Sequence, residues 1–418
     1  MASAAEKSTV PVTILTGFLG AGKTTLLNHI LESPDHGKRF AIIENEFGEV
    51  GVDDKVIKET SVELIEVING CVCCTVRGDL VKVLKRLAEK LPSFDAVIIE
   101  TTGLADPAPV AQTFFVEEDV ARSYHLDGII TVVDAKHILE HLNEEKPEGV
   151  ENESVEQIAF ADRILLNKCD LVDKETLDEV RKAIMGINSH AEIVHTTYSK
   201  LEPSKLLNIG AFDLNRVVAM DPGFLNTDGE HQHDSTVSSV SVRFEGELNY
   251  MQLKMWIRQL MRTKASDLFR YKGVLAVKGS SMKYVFQGVH MLFSGDLEPS
   301  FKWKDDEVRE CRFVFIGRNL DKEALKLGIM ECKVESLRFQ VGDCVQANIG
   351  QHWMDGQVIK TWDEGYPYLI DLDIEPGAYA CTSWGWAPMD TDVFVRARKC
   401  ACPSSSASND ITSSETAA

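Results

Sequence analysis

The stretch VTILTGFLGAGKT at residues 12–24 decides the fold of this chain. The apolar run 12–16 predicts a strand, the pattern G-x-x-x-x-G-K-T follows directly, and residues 25–31 have helical character. In that setting backbone N–H groups surround phosphate oxygens, the lysine supplies a charge to the outer phosphates, and the threonine hydroxyl ligates Mg²⁺. The flanking strand and helix disfavour the alternative, a glycine-rich turn without a ligand. The stretch therefore predicts a nucleotide-phosphate site.

The predicted phosphate-site residues are those of the loop and of the helical turn that follows it. They are Gly17, Phe18, Leu19, Gly20, Ala21, Gly22, Lys23, Thr24 and Thr25. Of these, Lys23 and Thr24 are also predicted to be catalytic, with Thr24 as the magnesium ligand.

Residues 11–218 around this loop alternate short β-branched runs with helical stretches. Such alternation indicates β-α-β units and a largely parallel sheet, the α/β fold of a P-loop NTPase. Besides 12–16, strands are predicted at 40–44, 96–100, 128–133, 163–166 and 193–196.

Two further regions differ from this one in residue composition and pattern. After a polar linker at 221–235, residues 236–334 mix strands with amphipathic helices, which predicts an α+β domain. Residues 339–398 combine short apolar runs with Gly turns and tryptophans, which predicts a small all-β barrel similar to SH3 or Tudor domains. The tail 403–418 is rich in Ser, Thr and Ala, and we expect it to be disordered.

The composition limits the classes of function. The chain contains 44 Lys and Arg and 65 Asp and Glu, which gives a formal net charge of −21. A chain with this charge repels nucleic acid and anionic membranes as a whole. The longest apolar runs, such as 129–133, fall far short of the ~20 residues that span a bilayer. Ten cysteines, three of them within four positions, do not resemble a secreted disulfide framework. We expect a cytoplasmic protein, with the nucleus as an alternative, and neither nucleic acid nor membrane as a partner.

The stretch LLNKCD at residues 165–170 predicts the base of the nucleotide. Asp170 offers a carboxylate that can accept from the N1–H and the exocyclic amine of guanine. The Asn167 side chain is expected to reach the O6/N7 edge, and the Lys168 stem is expected to pack along the ring. Adenine carries an amine where guanine has O6 and would mispair. Although the tetrapeptide alone is a weak signal, its place in the same domain as a P-loop favours GTP over ATP.

The stretch AVIIETTGLADP at residues 96–107 contains an acid-x-x-Gly element at the end of a predicted strand. Glu100 is predicted to orient Mg²⁺ or water, and Gly103 to donate a backbone N–H to the γ-phosphate. A glutamate in this position leaves open whether the metal is bound directly or through water. The alternative is a surface acid at a strand end.

Three cysteines, Cys71, Cys73 and Cys74, stand close together in NGCVCC. Thiolates suit Zn²⁺ or Cu(I), and Zn²⁺ prefers four tetrahedral ligands, so three local thiols leave one position for a remote residue, water or a partner. An exchangeable position suits a site that acquires metal and hands it over. The alternatives are a redox pair, disfavoured because adjacent cysteines would form a strained disulfide, and buried apolar cysteines.

These motifs together resemble the CobW family of metal-handling GTPases, most closely its eukaryotic cytosolic zinc-chaperone branch. The resemblance covers about residues 11–334. It rests on GFLGAGKTT, ENEFGE, GCVCC, ETTGLADP, NKCD, LFRYKGVLAV, FQGVH and FVFIGRNLD.

The resemblance implies a GTPase domain and a family-type C-terminal α+β domain. It also implies that Cys71, Cys73 and Cys74 bind Zn²⁺ and that the protein delivers it, in a GTP-dependent way, to a client metalloprotein, an aminopeptidase being one candidate. By the same resemblance Thr75 and Arg77 lie near the nucleotide.

These features predict a GTP-hydrolysing zinc metallochaperone with GTP, Mg²⁺ and Zn²⁺ as its ligands. The alternative from another class is a GTP-regulated scaffold with structural zinc, whose barrel recruits a peptide partner. A P-loop small-molecule kinase is disfavoured because it leaves NKCD and CVCC unexplained.

In the linker, His231 and His233 are either metal ligands or solvated side chains. His137 and His141 have the i,i+4 spacing of a metal pair, but a solvated helix face is the favoured interpretation.

Overall fold

The computed structural model contains two compact units, the first carrying two sheets and the second carrying one. The second unit comprises residues 334–418 together with 249–252 and 278–280. The residues that the structure describes are 9–32, 39–45, 63–67, 76–90, 94–144, 146, 151–202, 205–218, 236–334, 336–349, 352–373 and 384–398.

The first sheet consists of seven described strands, all parallel, in the order β3-β2-β4-β1-β5-β6-β7. Its central strands are apolar on both faces, as expected for a parallel sheet covered by helices. The strands are β1 (Val10–Thr16), β2 (Phe40–Asn45), β3 (Glu63–Val67), β4 (Ala96–Glu100), β5 (Tyr124–Asp134), β6 (Arg163–Asn167) and β7 (Glu192–His195).

Helices connect these strands and bury apolar stripes against the sheet. In the helix that precedes β7, Val180, Ala183, Ile184 and Ile187 are buried at helical spacing, and Asp173 caps its start by accepting from the Thr176 N–H. The described helices are α1 (Lys23–Glu32), α2 (Val76–Ala88), α3 (Ala108–Val116), α4 (Glu118–Ala121), α5 (Ile138–Leu142), α6 (Glu153–Phe160), α7 (Lys174–Ile187) and α8 (Leu214–Val218).

The second sheet has five antiparallel strands in the order β11-β10-β9-β12-β8, with two helices. Its central strands β9 and β12 are almost entirely buried, whereas the edge strand β11 is largely exposed. The elements are β8 (Val237–Glu245), α9 (Tyr250–Lys264), β9 (Leu268–Ala276), β10 (Met282–Val289), β11 (Leu292–Lys302), β12 (Glu310–Arg318) and α10 (Lys322–Met330).

The third sheet, in the second unit, has five antiparallel strands in the order β16-β15-β14-β13-β17. A small core that includes Val345, Tyr368 and Ile370 supports it. The strands are β13 (Cys344–Ile349), β14 (His352–Asp363), β15 (Tyr366–Leu372), β16 (Trp384–Ala387) and β17 (Val395–Ala397).

The predicted fold class, a P-loop parallel sheet followed by an α+β region and an all-β region, is confirmed. No strand was predicted at the positions of β3, β10 and β11. β3 reads ELIEV, with acids that interrupt the apolar run, and β11 contains Gly295 and Pro299, which an edge strand tolerates. Within the described residues, the helices are too short or too polar to cross a membrane.

Candidate nucleotide site

The loop after β1 lies at the carboxyl edge of the parallel sheet, where β4 and β6 also end. Gly17, Gly20 and Gly22 have φ values of 139°, 75° and 112°, which residues with a Cβ rarely adopt. A Cβ on Gly17 would lie 2.2 Å from the carbonyl oxygen of Val132 in β5. Glycine is therefore required for the loop to turn this close to the neighbouring strand.

Lys23 begins α1 with a side chain that is only 7% exposed. Its Nζ donates to the carbonyl oxygens of Gly17, at 2.7 Å, and Phe18, at 3.3 Å. Burial lowers the pKa of Lys23, and the nearby charge of Glu100 opposes that shift. A buried cation whose hydrogen bonds among the described residues go to loop carbonyl oxygens is well placed to receive the charge of a phosphate.

Thr24, the predicted magnesium ligand, and Glu100, predicted to orient Mg²⁺ or water, are adjacent in the structure. Thr24 Oγ1 donates to Glu100 Oε1 across 3.4 Å, a long contact between the start of α1 and the end of β4. A hydroxyl and a carboxylate oxygen beside the P-loop lysine form the kind of oxygen donor set that Mg²⁺ prefers.

The segment after β4 contacts both the end of β1 and the P-loop. The Thr101 N–H donates to the Leu15 carbonyl at 2.9 Å, and its hydroxyl donates to Thr16 Oγ1 at 2.8 Å. A Cβ on Gly103 would lie 2.6 Å from the backbone nitrogen of Leu19. The two loops predicted to hold the phosphates and sense the γ-phosphate are therefore in contact.

Gln157 on α6 holds the same segment from inside the domain. It is 1% exposed, and its Nε2 donates to the carbonyl oxygens of Gly103 and Ala105, both at 3.1 Å. Gln157 was not predicted from the sequence, because one glutamine in a helix gives no signal of a distant contact.

Asn167 lies beneath the phosphate loop and is 3% exposed. Its Nδ2 donates to the Ala21 carbonyl and to Ser199 Oγ, both at 2.9 Å. Its Oδ1 accepts from the Ser199 N–H at 2.9 Å and from the Thr196 hydroxyl at 3.2 Å. A contact with O6 or N7 of guanine needs a donor, and both N–H groups of this amide are already engaged. In the described conformation the side chain joins the P-loop to the loop after β7, and its contact with the base stays a prediction.

Lys168 lies in the left-handed region, with φ 61°, and its Nζ donates to Asp134 Oδ2 at 2.6 Å. His137 Nδ1 lies 2.8 Å from the same oxygen. Burial acts to raise the pKa of Asp134, but the hydrogen bonds from Lys168 and His137 outweigh it, and the net pKa is lowered. Asp170 is exposed at this edge, as a base-reading carboxylate must be.

His141 and Phe18 bring α5 against the P-loop, with ring centroids 4.0 Å apart. The sequence analysis favoured a solvated helix face for His137 and His141. Both histidines instead contact residues of the nucleotide site, Asp134 and Phe18. An acid that ends an apolar strand, as Asp134 ends TVVD, is a signal that could have identified this corner of the site.

Ser199 belongs to TTYSK, which follows β7 at the same edge of the sheet. Its hydroxyl donates to the Gly22 carbonyl at 3.0 Å. A polar run directly after a parallel strand is typical of a ligand loop, so this contact could have been anticipated from the position of β7.

Several predicted residues lie outside the described part of the chain. Arg77 lies in the first turn of α2, but its side chain is not described. The strand β3 precedes the cysteines in the sequence, and its last residue pairs with Asn45 at the end of β2. Among the residues described, no group of three or more His, Cys, Asp or Glu could hold a metal ion. The predicted site residues that lie outside the described part of the chain are Cys71, Cys73, Cys74, Thr75, His231 and His233.

The described geometry fits a nucleoside triphosphate with Mg²⁺. Three glycines permit the loop conformation, a buried lysine supplies the positive charge, and a hydroxyl and a carboxylate meet beside it. Asn167 at the end of β6 and Ser199 after β7 donate to carbonyl oxygens of the P-loop, and Asp134 at the end of β5 accepts from Lys168.

Two domain families match the sequence. Residues 11–195 match the family described as CobW/HypB/UreG, nucleotide-binding domain, and residues 237–333 match the cobalamin synthesis protein cobW C-terminal domain. These two matches correspond to the part of the chain that carries the first and second sheets.

Curated relatives extend the similarity over most of their own length. The zinc chaperone YjiA of Escherichia coli is 37% identical over 322 residues, which are 76% of this chain and 96% of that protein. The zinc-regulated GTPase metalloprotein activator 1 of Schizosaccharomyces pombe is 33% identical over 352 residues, covering 75% of this chain and 83% of that protein. A crystal structure of the Zn(II)-bound YjiA GTPase from E. coli superposes with a TM-score of 0.63 at 31% identity, covering 78% of this chain and all of the other.

Proposed function

The chain belongs to the CobW family of P-loop GTPases, and from this premise we propose that it is a zinc metallochaperone. It hydrolyses GTP, with Mg²⁺ as the cofactor. In the proposal, Zn²⁺ is the cargo and is passed to a client metalloprotein in a GTP-dependent manner. The names of the relatives, zinc chaperones and a zinc-regulated metalloprotein activator, support zinc as that cargo.

The observation that carries the proposal is the convergence of Lys23, Thr24, Glu100 and Gly103 on one edge of the sheet. Lys23 would neutralise charge on the outer phosphates, and Thr24 with Glu100 would hold Mg²⁺. Gly103, which abuts Leu19, would place its backbone N–H near the γ-phosphate.

The guanine base would occupy the corner formed by Lys168 and Asp170. Asp134 fixes Lys168 so that its stem can pack along the ring, and the exposed carboxylate of Asp170 would accept from the base. Asn167 would contribute by holding the P-loop against the Ser199 loop.

Cys71, Cys73 and Cys74 would bind the zinc as thiolates, and the client or water would supply a fourth ligand. Thiolate sites hold Zn²⁺ tightly, with apparent binding energies of ~10–16 kcal/mol in structural sites. Spontaneous release would be slow, so hydrolysis would have to change the zinc affinity. A coupling of about 1–3 kcal/mol, a factor of 5 to 150, is typical of such linkage. Thr75 and Arg77, directly after the cysteines, would connect them to the nucleotide.

The test measures this linkage. A fluorescent GTP analogue is titrated into the protein at buffered free zinc, and we expect zinc to change its affinity by about fivefold or more. Combining Cys73→Ser with Cys74→Ser removes that effect. Cys344→Ser is the matched control, because this thiol lies in β13 of the third sheet, and it should keep the effect.

A second measurement follows zinc release to a fluorescent chelator during GTP turnover. Release should accelerate with GTP and not with a non-hydrolysable analogue. Identical GTP titrations with and without zinc in the unmodified protein would contradict the chaperone function. They would favour the scaffold with structural zinc, in which the third sheet recruits a peptide partner.

A further inference from the structure

A cavity in the first unit lies where β9 of the second sheet faces the residues that precede β6 and β7. The centre of a water-sized sphere can occupy about 20 Å³ of this cavity, which is room for one water molecule or one ion of similar size. Its lining residues include the acid Asp162, the cations Arg270 and Lys272, and the titratable side chains of His190 and Tyr271. None of them belongs to the nucleotide site.

The sequence of β9 places two cations on this cavity. Arg270 and Lys272 are two residues apart in the strand, so their side chains leave the same face of the sheet. Their partners across the ladder, Ile316 and Val314 in β12, are apolar and line the same cavity. Arg270 is buried and Lys272 is partly buried, and both cations lie beside these apolar side chains.

Arg270 has one arm paired and one arm without a partner. It is 8% exposed, and its Nη2 donates to Asp162, whose other oxygen accepts from the Ile129 N–H at 2.9 Å. Its Nη1 is buried and has no hydrogen-bond partner among the described residues. The guanidinium carbon lies 4.3 Å from the centroid of the Phe212 ring, and Arg270 is one of the residues that line the cavity. A buried guanidinium N–H without a hydrogen bond gains from an acceptor there.

The charges that line the cavity do not cancel. Arg270 and Lys272 are cations, and Asp162 supplies one negative charge against them. Burial and the charge of Lys272 hold the pKa of His190 at about 3, so its ring is neutral at neutral pH. Burial also lowers the pKa of Lys272, with Arg270 adding to the shift and Asp162 opposing it. An uncompensated buried charge is costly, and a small anion in the cavity removes that cost.

We propose that this cavity binds a chloride ion, which accepts from Arg270 Nη1 and pairs with Lys272. Chloride is monatomic and little larger than water, so it suits the available space, whereas sulfate and organic anions do not. Bound there, the ion stabilises the docking of β9 on the residues around Asp162 and His190. Binding to the folded state alone raises stability with anion concentration.

The experiment compares thermal unfolding of the full chain in sodium chloride and in sodium gluconate, at equal pH and about 0.15 M ionic strength. Gluconate is too large for the cavity. We expect a Tm about 2–4 °C higher in chloride, and bromide should reproduce the increase. Lys272→Met should lose the difference. Lys326→Met, which removes a charge from the exposed face of α10, should keep it.

A direct readout comes from crystals grown in bromide, where an anomalous peak is expected between Arg270 and Lys272. If Lys272→Met does not fold, Lys272→Gln and the unmodified protein provide the same comparison. Equal Tm values in both salts for the unmodified protein would overturn the proposal and leave a water beside a neutral lysine. An unchanged chloride effect in the Lys272 variants would overturn it as well.

Discussion

At the scale of single residues, Lys23 is held by carbonyl oxygens of its own loop, Gly17 and Phe18, rather than by a carboxylate. Because burial lowers its pKa, the charged form has most to gain from an anion in the loop. The side chain extends from the start of α1, and its hydrogen bonds go to its own loop and not to the apolar core beneath it. Its role is therefore separable from the stability of the fold.

We expect Lys23→Ala to reduce GTP turnover by about 100-fold or more, because it removes the charge that faces the outer phosphates. Thermal unfolding should change little. Turnover and Tm are measured beside Lys182→Ala, which removes an exposed lysine from α7 and should affect neither. Unmodified turnover in Lys23→Ala would contradict the assignment of the phosphate site.

Asp134 fixes the position of Lys168 through a direct ion pair. Its carboxylate holds Lys168 and His137 at 2.6 and 2.8 Å, and Asp134→Asn removes the charge that fixes the lysine. We expect GTP and GDP to bind about five- to tenfold more weakly, a loss of ~1 kcal/mol. The two nucleotides should be affected equally, because Lys168 would contact the base and not the γ-phosphate.

Equilibrium binding of labelled GTP and GDP measures this effect. Asp306→Asn, an exposed acid in the turn between β11 and β12, makes the same chemical change away from the site. A selective loss of GTP affinity in Asp134→Asn would place Lys168 near the γ-phosphate instead.

At the scale of elements, local patterns were predictable and distant contacts were not. The P-loop, the strand that ends in Glu100 and the NKCD turn are continuous stretches whose chemistry is visible in the sequence. The clamp formed by Asn167 joins residues 146 positions apart, and the Ser199 bond to the Gly22 carbonyl joins residues 177 apart. No local pattern contains such pairs, since they depend on the order of strands in the sheet.

The conformation of Gly22 depends on that clamp. A Cβ there would lie 2.5 Å from Asn167 Nδ2 and 2.7 Å from Ser199 Oγ, at a φ of 112°. We expect Gly22→Ala to destabilise the protein by about 1–3 kcal/mol and to weaken nucleotide binding, because strain and a clash act together.

Gly20→Ala provides the matched control for this change. Gly20 also has a positive φ, 75°, but a Cβ on it would meet nothing within 4 Å. Its replacement should therefore show the backbone strain alone and lower Tm less. Equal losses of Tm in the two variants would show that the clamp contributes nothing at Gly22.

At the scale of the whole first unit, the segment after β4 is connected to the second sheet. Gln112 on α3 lies 3.4 Å from His290, and Arg318 of β12 contacts Glu151 at 2.6 Å and Glu156 at 3.3 Å. Glu156 is adjacent in sequence to Gln157, which holds Gly103. A change in the nucleotide loop can therefore reach the second sheet through a short chain of contacts.

Glu156 is buried and lies close to two other acids, so its pKa makes the stability of the fold depend on pH. Burial raises its pKa to about 9, and the neighbouring Glu151 and Asp106 add to the shift. Below the ordinary pKa of 4.5, Glu156 is protonated in both the folded and the unfolded chain. Between 4.5 and about 9 the unfolded chain loses this proton while the folded chain retains it, so folding stability falls as the pH rises through this range.

Glu156→Gln removes the titration while keeping a side chain of the same shape. We expect the variant and the unmodified protein to have similar Tm values at low pH, with the variant higher by about 2–4 °C near pH 8. Glu175→Gln, an exposed change in the first turn of α7, corrects for the loss of one charge from a chain of net charge −21. Parallel Tm profiles for the unmodified protein and Glu156→Gln would show that Glu156 is ionised in the fold. Arg318 of β12 would then form an ion pair with Glu156, whereas a protonated Glu156 only accepts a hydrogen bond from it.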